Sequence, residues 1–207
     1  MPAMPTIAAI VLAAGSSTRF GEANKLLVQI NGVPMVVRVI AAIKRGNIAD
    51  ITVVTGHQSE RVTAAVAGQA CRIVHNARHI EGMGTSVARG VSSLVEDIDG
   101  VLIAQGDMPE VDGALIATLC RSFVEGGNDR VVYPLLDDGR QGNPVLWPKR
   151  LFGELAKLTG DRGAKQLIAA EGGNAIRLVT AGLAAAVDID TPDELAAYEA
   201  SRSSQPR

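Results

Sequence analysis

The chain has 207 residues, 47% of them hydrophobic and 20% charged, with a formal net charge of −2. That size and balance predict one globular domain over residues 1–200, able to bury a large core, followed by a polar, disordered tail over 201–207. Mild acidity without any block of like charge argues against nucleic acid as a partner, and two isolated cysteines argue against zinc or thiol-redox chemistry.

The elements follow in order. Ile7 to Ala14 is apolar, no Lys or Arg precedes it, and it runs into a Gly-Ser loop rather than a cleavage-like site. It reads as a buried strand, not a signal peptide or a membrane span. Cys71 and Cys120 read as buried free thiols of a reducing compartment, so the protein is expected to be cytoplasmic, with no membrane partner.

Leu26 to Ile30 is a short extended piece ended by Asn31-Gly32, and Pro34 sits where a first helical residue belongs. Val36, Val37, Ile40, Ala41 and Ile43 give that helix its apolar face, and Lys44-Arg45-Gly46 ends it. The β-branched run Ile51 to Thr55 predicts a second strand, Ser59 caps a helix through Ala67, and Arg72 to His75 makes a third strand. A loop over Asn76 to Gly84 leads to a helix from about Thr85 to Val95. Val101 to Ala104 is a fourth strand, running into Gln105-Gly106-Asp107-Met108-Pro109, after which Asp112 caps a helix to about Phe123.

Val131 to Leu136 and Pro144 to Trp147 flank a hairpin tip at Asp138-Gly139. Helical pieces near Leu151 to Lys157 and Ala164 to Ala170 are separated by Thr159-Gly160-Asp161-Arg162-Gly163. Ala175 to Val179 is a last strand candidate, and Thr191-Pro192-Asp193-Glu194 has the form of a capping box opening the final helix. Strands alternating with helices predict a single three-layer α/β/α, Rossmann-like domain, mostly parallel with one antiparallel strand.

Ligands of open α/β sheets bind beyond the carboxyl ends of the strands. Three stretches at such ends carry chemistry. In the first, Gly15-Ser16-Ser17-Thr18-Arg19 is followed by Gly21 and Lys25. Small residues let backbone N–H groups approach an anion, and two cations complete its neutralisation. The bland alternative is a glycine-rich strand-to-helix connection. Gly15 and Gly21 miss the P-loop spacing, and the G-x-G-x-x-G fingerprint is absent.

The second stretch carries Asp107; a carboxylate after a buried strand is costly unless paired or holding a cation, and the bland alternative is a turn-former before Met108-Pro109. The third carries Asp188 and Asp190, on alternating residues of an extended piece. Carboxylates from separate strand ends opposite a cationic loop fit Mg²⁺ with a triphosphate. His57 stands at a strand end as a possible site residue; His75 and His79 lack metal-ligand spacing; Trp147 reads as core.

Leu12-Ala13-Ala14-Gly15-Ser16-Ser17-Thr18-Arg19-Phe20-Gly21 with Asn24-Lys25-Leu26-Leu27 resembles the opening of the molybdenum cofactor nucleotidyltransferases, most of all their cytidylyltransferase branch. The likeness continues through Val54 to His57, Asn76, Glu81 to Ser86, Gly106 to Pro109, Gly142 to Trp147, Thr159 to Ala164 and Asp188 to Pro192. Phe20 stands where the family usually has Met, and Met83-Gly84 replaces a more usual Leu-Ser.

The resemblance implies transfer of CMP from CTP to molybdenum-bearing molybdopterin, giving the cytosine dinucleotide and pyrophosphate. It implies that Leu12, Ala13, Ala14, Gly15, Ser16 and Ser17 hold the nucleotide, with Thr55, Gly56 and Ser86. Arg19 and Lys25 would bind its phosphates, with Lys25, Arg19 and Asp107 catalytic. Asp107 and Asp190 would hold Mg²⁺ with Asp188 as a helper, while Gly142, Asn143 and Pro144 face the acceptor. An acceptor molybdoenzyme is the implied downstream partner. The guanylyl branch resembles L-A-G-G where this chain has Leu12-Ala13-Ala14-Gly15. Other readings are another phosphorylated acceptor, a related NAD(P)H-dependent oxidoreductase, or a non-catalytic carrier of the cofactor.

Overall fold

Alternation of side chains along the strands decides which layer each residue joins. In the computed structural model, which describes residues 5–16, 20, 23–95, 97–161, 163–179, 189 and 191–203, seven strands form one sheet. The order is β5 (Arg72–His75), β4 (Ile51–Thr55), β1 (Ile7–Ala13), β6 (Gly100–Gln105), β8 (Val145–Pro148), β7 (Val132–Leu135) and β9 (Ile176–Val179). β8 pairs antiparallel with both neighbours and every other pairing is parallel, so one strand is reversed, as its spacing predicts. A separate two-stranded hairpin, β2 (Gln29–Ile30) and β3 (Val33–Pro34), turns through Asn31 and Gly32, both at positive φ.

On one face, Ala9, Val11 and Ala13 of β1 pack with Leu102 and Ala104 of β6 under α1 (Met35–Arg45), α2 (Ser59–Val66) and α4 (Gly113–Glu125). On the other, Ile10 of β1 joins Val101 and Ile103 of β6 and Trp147 of β8. That face is covered by α3 (Met83–Val91), α5 (Phe152–Leu155) and α6 (Gly163–Glu171). The period of two therefore builds two separate apolar layers around one sheet. Trp147 is core, as expected.

Several boundaries differ from the sequence expectation, each for a visible reason. Leu26 and Leu27 are not extended: they belong to a 3₁₀ turn over Lys25–Leu27, capped by the Asn24 carboxamide on the Leu26 N–H at 3.0 Å. Pro34 precedes α1 instead of opening it. Ser59 is the first residue of α2 and not its cap; Gln58, at φ 49°, takes that place, and the Ser59 hydroxyl bonds Thr55 Oγ1 at 2.9 Å.

Helix α3 starts two residues before Thr85 and stops at Val91, where the Ser93 hydroxyl donates to the Gly90 carbonyl and closes the helix. The Asp112 cap holds, its carboxylate accepting from the Leu115 N–H at 2.7 Å. So does the capping box of α7 (Pro192–Ser203): Thr191 N–H donates to Glu194 Oε2 and Glu194 N–H to Thr191 Oγ1. That helix runs to Ser203, three residues into the expected polar tail. The two thiols are half-buried instead of fully buried; burial pushes Cys120 up to about 11 and raises Cys71 against the opposing charge of Lys44.

Among the described residues no helix is long and apolar enough to cross a membrane. Away from the strand ends, Arg150 clamps Glu171 with both guanidinium ends, and Asn174 Nδ2 adds a third bond. The clamp holds the Glu171 carboxyl below its usual range. A depressed carboxylate stabilises above its unfolded pKa and loses that contribution as pH falls through the folded one. Glu171→Gln is therefore expected to cost about 1 kcal/mol at neutral pH. Urea melts of parent and variant should converge below about pH 4.

Candidate functional site

The strand order reverses around β1: β4 and β5 lie to one side, and the chain then returns to place β6 on the other. Such a switch point leaves a crevice at the carboxyl ends of the strands. Leu12 pairs in register with Gln105 and Ala13 with Thr55, so the three C-terminal ends come together there. A cavity of about 440 Å³ opens over them. Its wall includes Leu12, Ala14, Gly15, Ser16, Lys25 and Asp107, brought together from the two segments expected to do so. Among the described residues no atom lies within 4 Å of a Cβ built on Gly15, which lines the cavity.

Lys25 Nζ lies 2.5 Å from Asp107 Oδ2, and the two side chains are only 16% and 12% exposed. Charges this sheltered are costly to bury alone and are here mutually neutralised. Among the described residues Asp107 Oδ1 is buried without a hydrogen-bond partner. A carboxylate with one oxygen on an ammonium and the other unmet has the donor chemistry for a hard divalent cation. Ile189, the residue between Asp188 and Asp190, is buried and its N–H reaches the Asp107 carbonyl at 3.4 Å. Ser17, Arg19, Asp188 and Asp190 lie outside the described residues. Among the described residues no cluster of three or more potential metal ligands occurs.

The other expected residues fall into two groups. Ser86 lines the cavity, its hydroxyl accepting from Asn76 Nδ2 at 3.0 Å. Ala13, Thr55 and Gly56 do not line it. Ala13 points into the core beneath α1, and Thr55 is spent on Ser59. Gly56 packs behind the wall, where a Cβ would stand 2.8 Å from Ala14 Cβ and 2.6 Å from His79 Cβ. Asn143 belongs to a second, adjoining cavity of about 80 Å³ floored by Trp147 and rimmed by Gln141 and Lys165. Gly142 and Pro144 are buried beside it, with the Gly142 N–H on the Pro134 carbonyl.

His79 takes the place expected for His57: it lines the larger cavity, while the His57 backbone N–H binds the Ala14 carbonyl. Met83, Gln105 and Asp161 line both cavities; the family resemblance places Met83 next to the substrate, while Gln105 and Asp161 carry no site expectation from sequence. The Thr159-Gly160-Asp161 segment clasps the start of α3. Asp161 Oδ1 accepts from the Met83 N–H at 2.8 Å, and the Gly160 carbonyl accepts from the Gly84 N–H at 2.6 Å. Two first-turn amides of α3 are thus satisfied by a loop nearly eighty residues away. The recurrence of Gly82, Gly84 and Gly160 was the available signal: neither Gly82 nor Gly84 has room for a Cβ against Gly160.

Known proteins resemble this chain in sequence and in fold. The chain is 34% identical over 130 residues to the bifunctional protein GlmU of Allorhizobium ampelinum, covering 61% of this chain and 28% of that protein. It therefore spans about a quarter to a third of the curated relatives it matches. Among solved structures, Rv0371c of Mycobacterium tuberculosis superposes with a TM-score of 0.80 at 24% identity, over 96% of this chain and 100% of that one. The same mycobacterial protein has been solved in complex with manganese, with a TM-score of 0.74 at 23% identity, over 95% of this chain and 99% of that one. A CMP:2-keto-3-deoxy-manno-octonic acid synthetase complexed with CTP superposes at 0.74 with 15% identity, over 96% and 98% of the two chains. These likenesses establish the Rossmann-like nucleotidyltransferase fold. Residues 9–176 match the MobA-like NTP transferase domain, most of the chain, and the protein is therefore a member of that nucleotidyltransferase family.

Proposed function

We propose that this nucleotidyltransferase moves CMP from CTP to a phosphate of molybdenum-bearing molybdopterin and releases pyrophosphate. The observation that carries the reading is the sheltered Lys25–Asp107 pair with its unmet carboxylate oxygen, set against the Gly15-Ser16 backbone. A phosphate oxygen of the acceptor attacks the α-phosphorus, the bond to the β-phosphate breaks, and pyrophosphate leaves with the electron pair. The attacking phosphate is already largely ionised at neutral pH, so no protein nucleophile or strong base is required. Catalysis then rests on positioning and on charge placed where it accumulates.

Lys25 is the group that exchanges Asp107 for the α-phosphate when the nucleotide enters. Asp107 Oδ1 would hold Mg²⁺, with Asp190 and Asp188 as further ligands; the ion supplies neutralisation of the phosphate oxygens. Gly15 and Ser16 amides, with Arg19, hold the remaining phosphates, and Asn143 with Gly142 and Pro144 forms the acceptor side. The fold accommodates the proposed donor, since the octonic acid synthetase that shares it was solved with CTP.

The test is calorimetric titration with CTP and with GTP in the presence of Mg²⁺, followed by pyrophosphate release with molybdopterin. CTP should bind more tightly than GTP, and Ala14→Gly should narrow that gap by making room for a purine. Tighter GTP binding to the parent would replace cytidylyl by guanylyl transfer. Pyrophosphate release with a sugar phosphate but not with molybdopterin would reassign the acceptor.

A further inference from the structure

In the proposed reading the donor's α-phosphate lies at Lys25 and Asp107, and His79 lines the same cavity. Asp107 follows β6, on one side of β1. His79 lies on the other side, beside the end of β4: a Cβ on Gly56 would come within 2.6 Å of His79 Cβ, and Ala14 stands against the same glycine. The carboxyl end of β1 thus separates the phosphate-binding pair from an imidazole that also lines the cavity.

That imidazole has a defined tautomer. His79 Nδ1 lies 3.2 Å from the Asn76 carbonyl oxygen. A carbonyl oxygen only accepts, so Nδ1 carries the hydrogen, and in the neutral ring Nε2 is left with a lone pair. Among the described residues no group hydrogen-bonds Nε2. Asn76 is itself held in place: it is buried, its Nδ2 donates to Thr85 Oγ1 and Ser86 Oγ at 2.9 and 3.0 Å, and its Oδ1 accepts from the Arg78 N–H. The backbone oxygen that sets the tautomer is therefore rigid.

We propose that His79 reads the nucleobase, its Nε2 accepting a hydrogen from the exocyclic amine of a cytosine-type base and rejecting the carbonyl that uracil presents at the same position. The inference rests on the reading of the cavity as a nucleoside triphosphate site and adds to it the residue that discriminates between pyrimidines. Ala14, small and backed by Gly56, sets the room for the base; His79 sets its hydrogen-bond polarity.

The experiment titrates the parent protein and His79→Phe with CTP, UTP and the triphosphate of 2-pyrimidinone riboside, which lacks the amine, all with Mg²⁺. The parent should favour CTP over UTP by about tenfold, the scale of one gained bond plus one avoided lone-pair clash. Phenylalanine keeps a ring and removes the acceptor, so the ratio should fall to near one through loss of CTP affinity. A merely structural role would weaken both nucleotides and leave the ratio unchanged, which would overturn the inference. The amine-free nucleotide tests the same point on the unmodified protein: it should bind clearly more weakly than CTP, and equal binding would refute the role of Nε2. Failure of the parent to bind any of the three, or GTP, would instead remove the nucleotide-site reading itself.

Discussion

Lys25→Ala is expected to lower kcat by about 10²–10³-fold, the scale for removing one preorganised cationic or hydrogen-bonding group from a developing anion. Asp107→Asn should abolish measurable turnover, because it removes both the partner of Lys25 and the carboxylate that would hold the cation. The two effects should not add. Lys25 and Asp107 sit 2.5 Å apart and each is sheltered, so either single change breaks the same ion pair. The double variant should be no slower than the worse single one, as for groups acting as a unit. Steady-state kinetics with pyrophosphate detection checks all three variants, and far-UV circular dichroism confirms that each is folded. Turnover of Lys25→Ala within threefold of the parent would remove the assigned role.

Gly82→Ala has a different origin and a comparable effect. Gly82 sits at φ 113°, where an L side chain is strained, and a Cβ there would lie 2.5 Å from the Gly160 carbonyl carbon and 2.7 Å from its Cα. These are backbone atoms and cannot swing aside. Strain and collision together should cost roughly 2–4 kcal/mol. In a chain of this length that lowers Tm by roughly 5–15 °C.

The damage should reach function as well. The same contact closes the clasp in which Asp161 and Gly160 hold the first amides of α3, and Met83 and Asp161 line both cavities. Gly15→Ala is the control: among the described residues a Cβ there would meet no atom within 4 Å, so Tm should stay within about 2 °C while nucleotide affinity falls. Thermal melts and nucleotide titration on the two variants separate a glycine required by packing from one required by ligand.

The contrast between these two glycines shows what local spacing can reveal. Gly15 was legible because its neighbours, from Leu12 to Lys25, lie within one strand and one loop. Gly82 was legible only as part of a motif, because the atoms that forbid a side chain belong to Gly160. His79 was missed for a similar reason. Its placement depends on the Asn76 carbonyl beside its Nδ1 and on Gly56, which admits it to the wall beside Ala14. A histidine without a ligand-spaced partner carries no such information in one dimension. Thr55 and Gly56 show the reverse error: they stand at a strand end, but the Thr55 hydroxyl is taken by Ser59 and Gly56 supports the wall from behind.

The sequence alone determined the three-layer fold, the reversed strand, the Asp112 cap and the α7 capping box, because period, turn residues and caps act over a few residues. It also singled out Lys25 and Asp107 as candidates, from a cation after a loop of small residues and a carboxylate after a buried strand. Only the tertiary structure decided that these two meet, that α3 is held at its start by Gly160 and Asp161, and that His79 faces the cavity while Thr55 does not. Those facts depend on which distant atoms arrive at the carboxyl ends of β4, β1 and β6. The order of strands, set by packing across the whole sheet, controls that arrival; no local interval in the chain does.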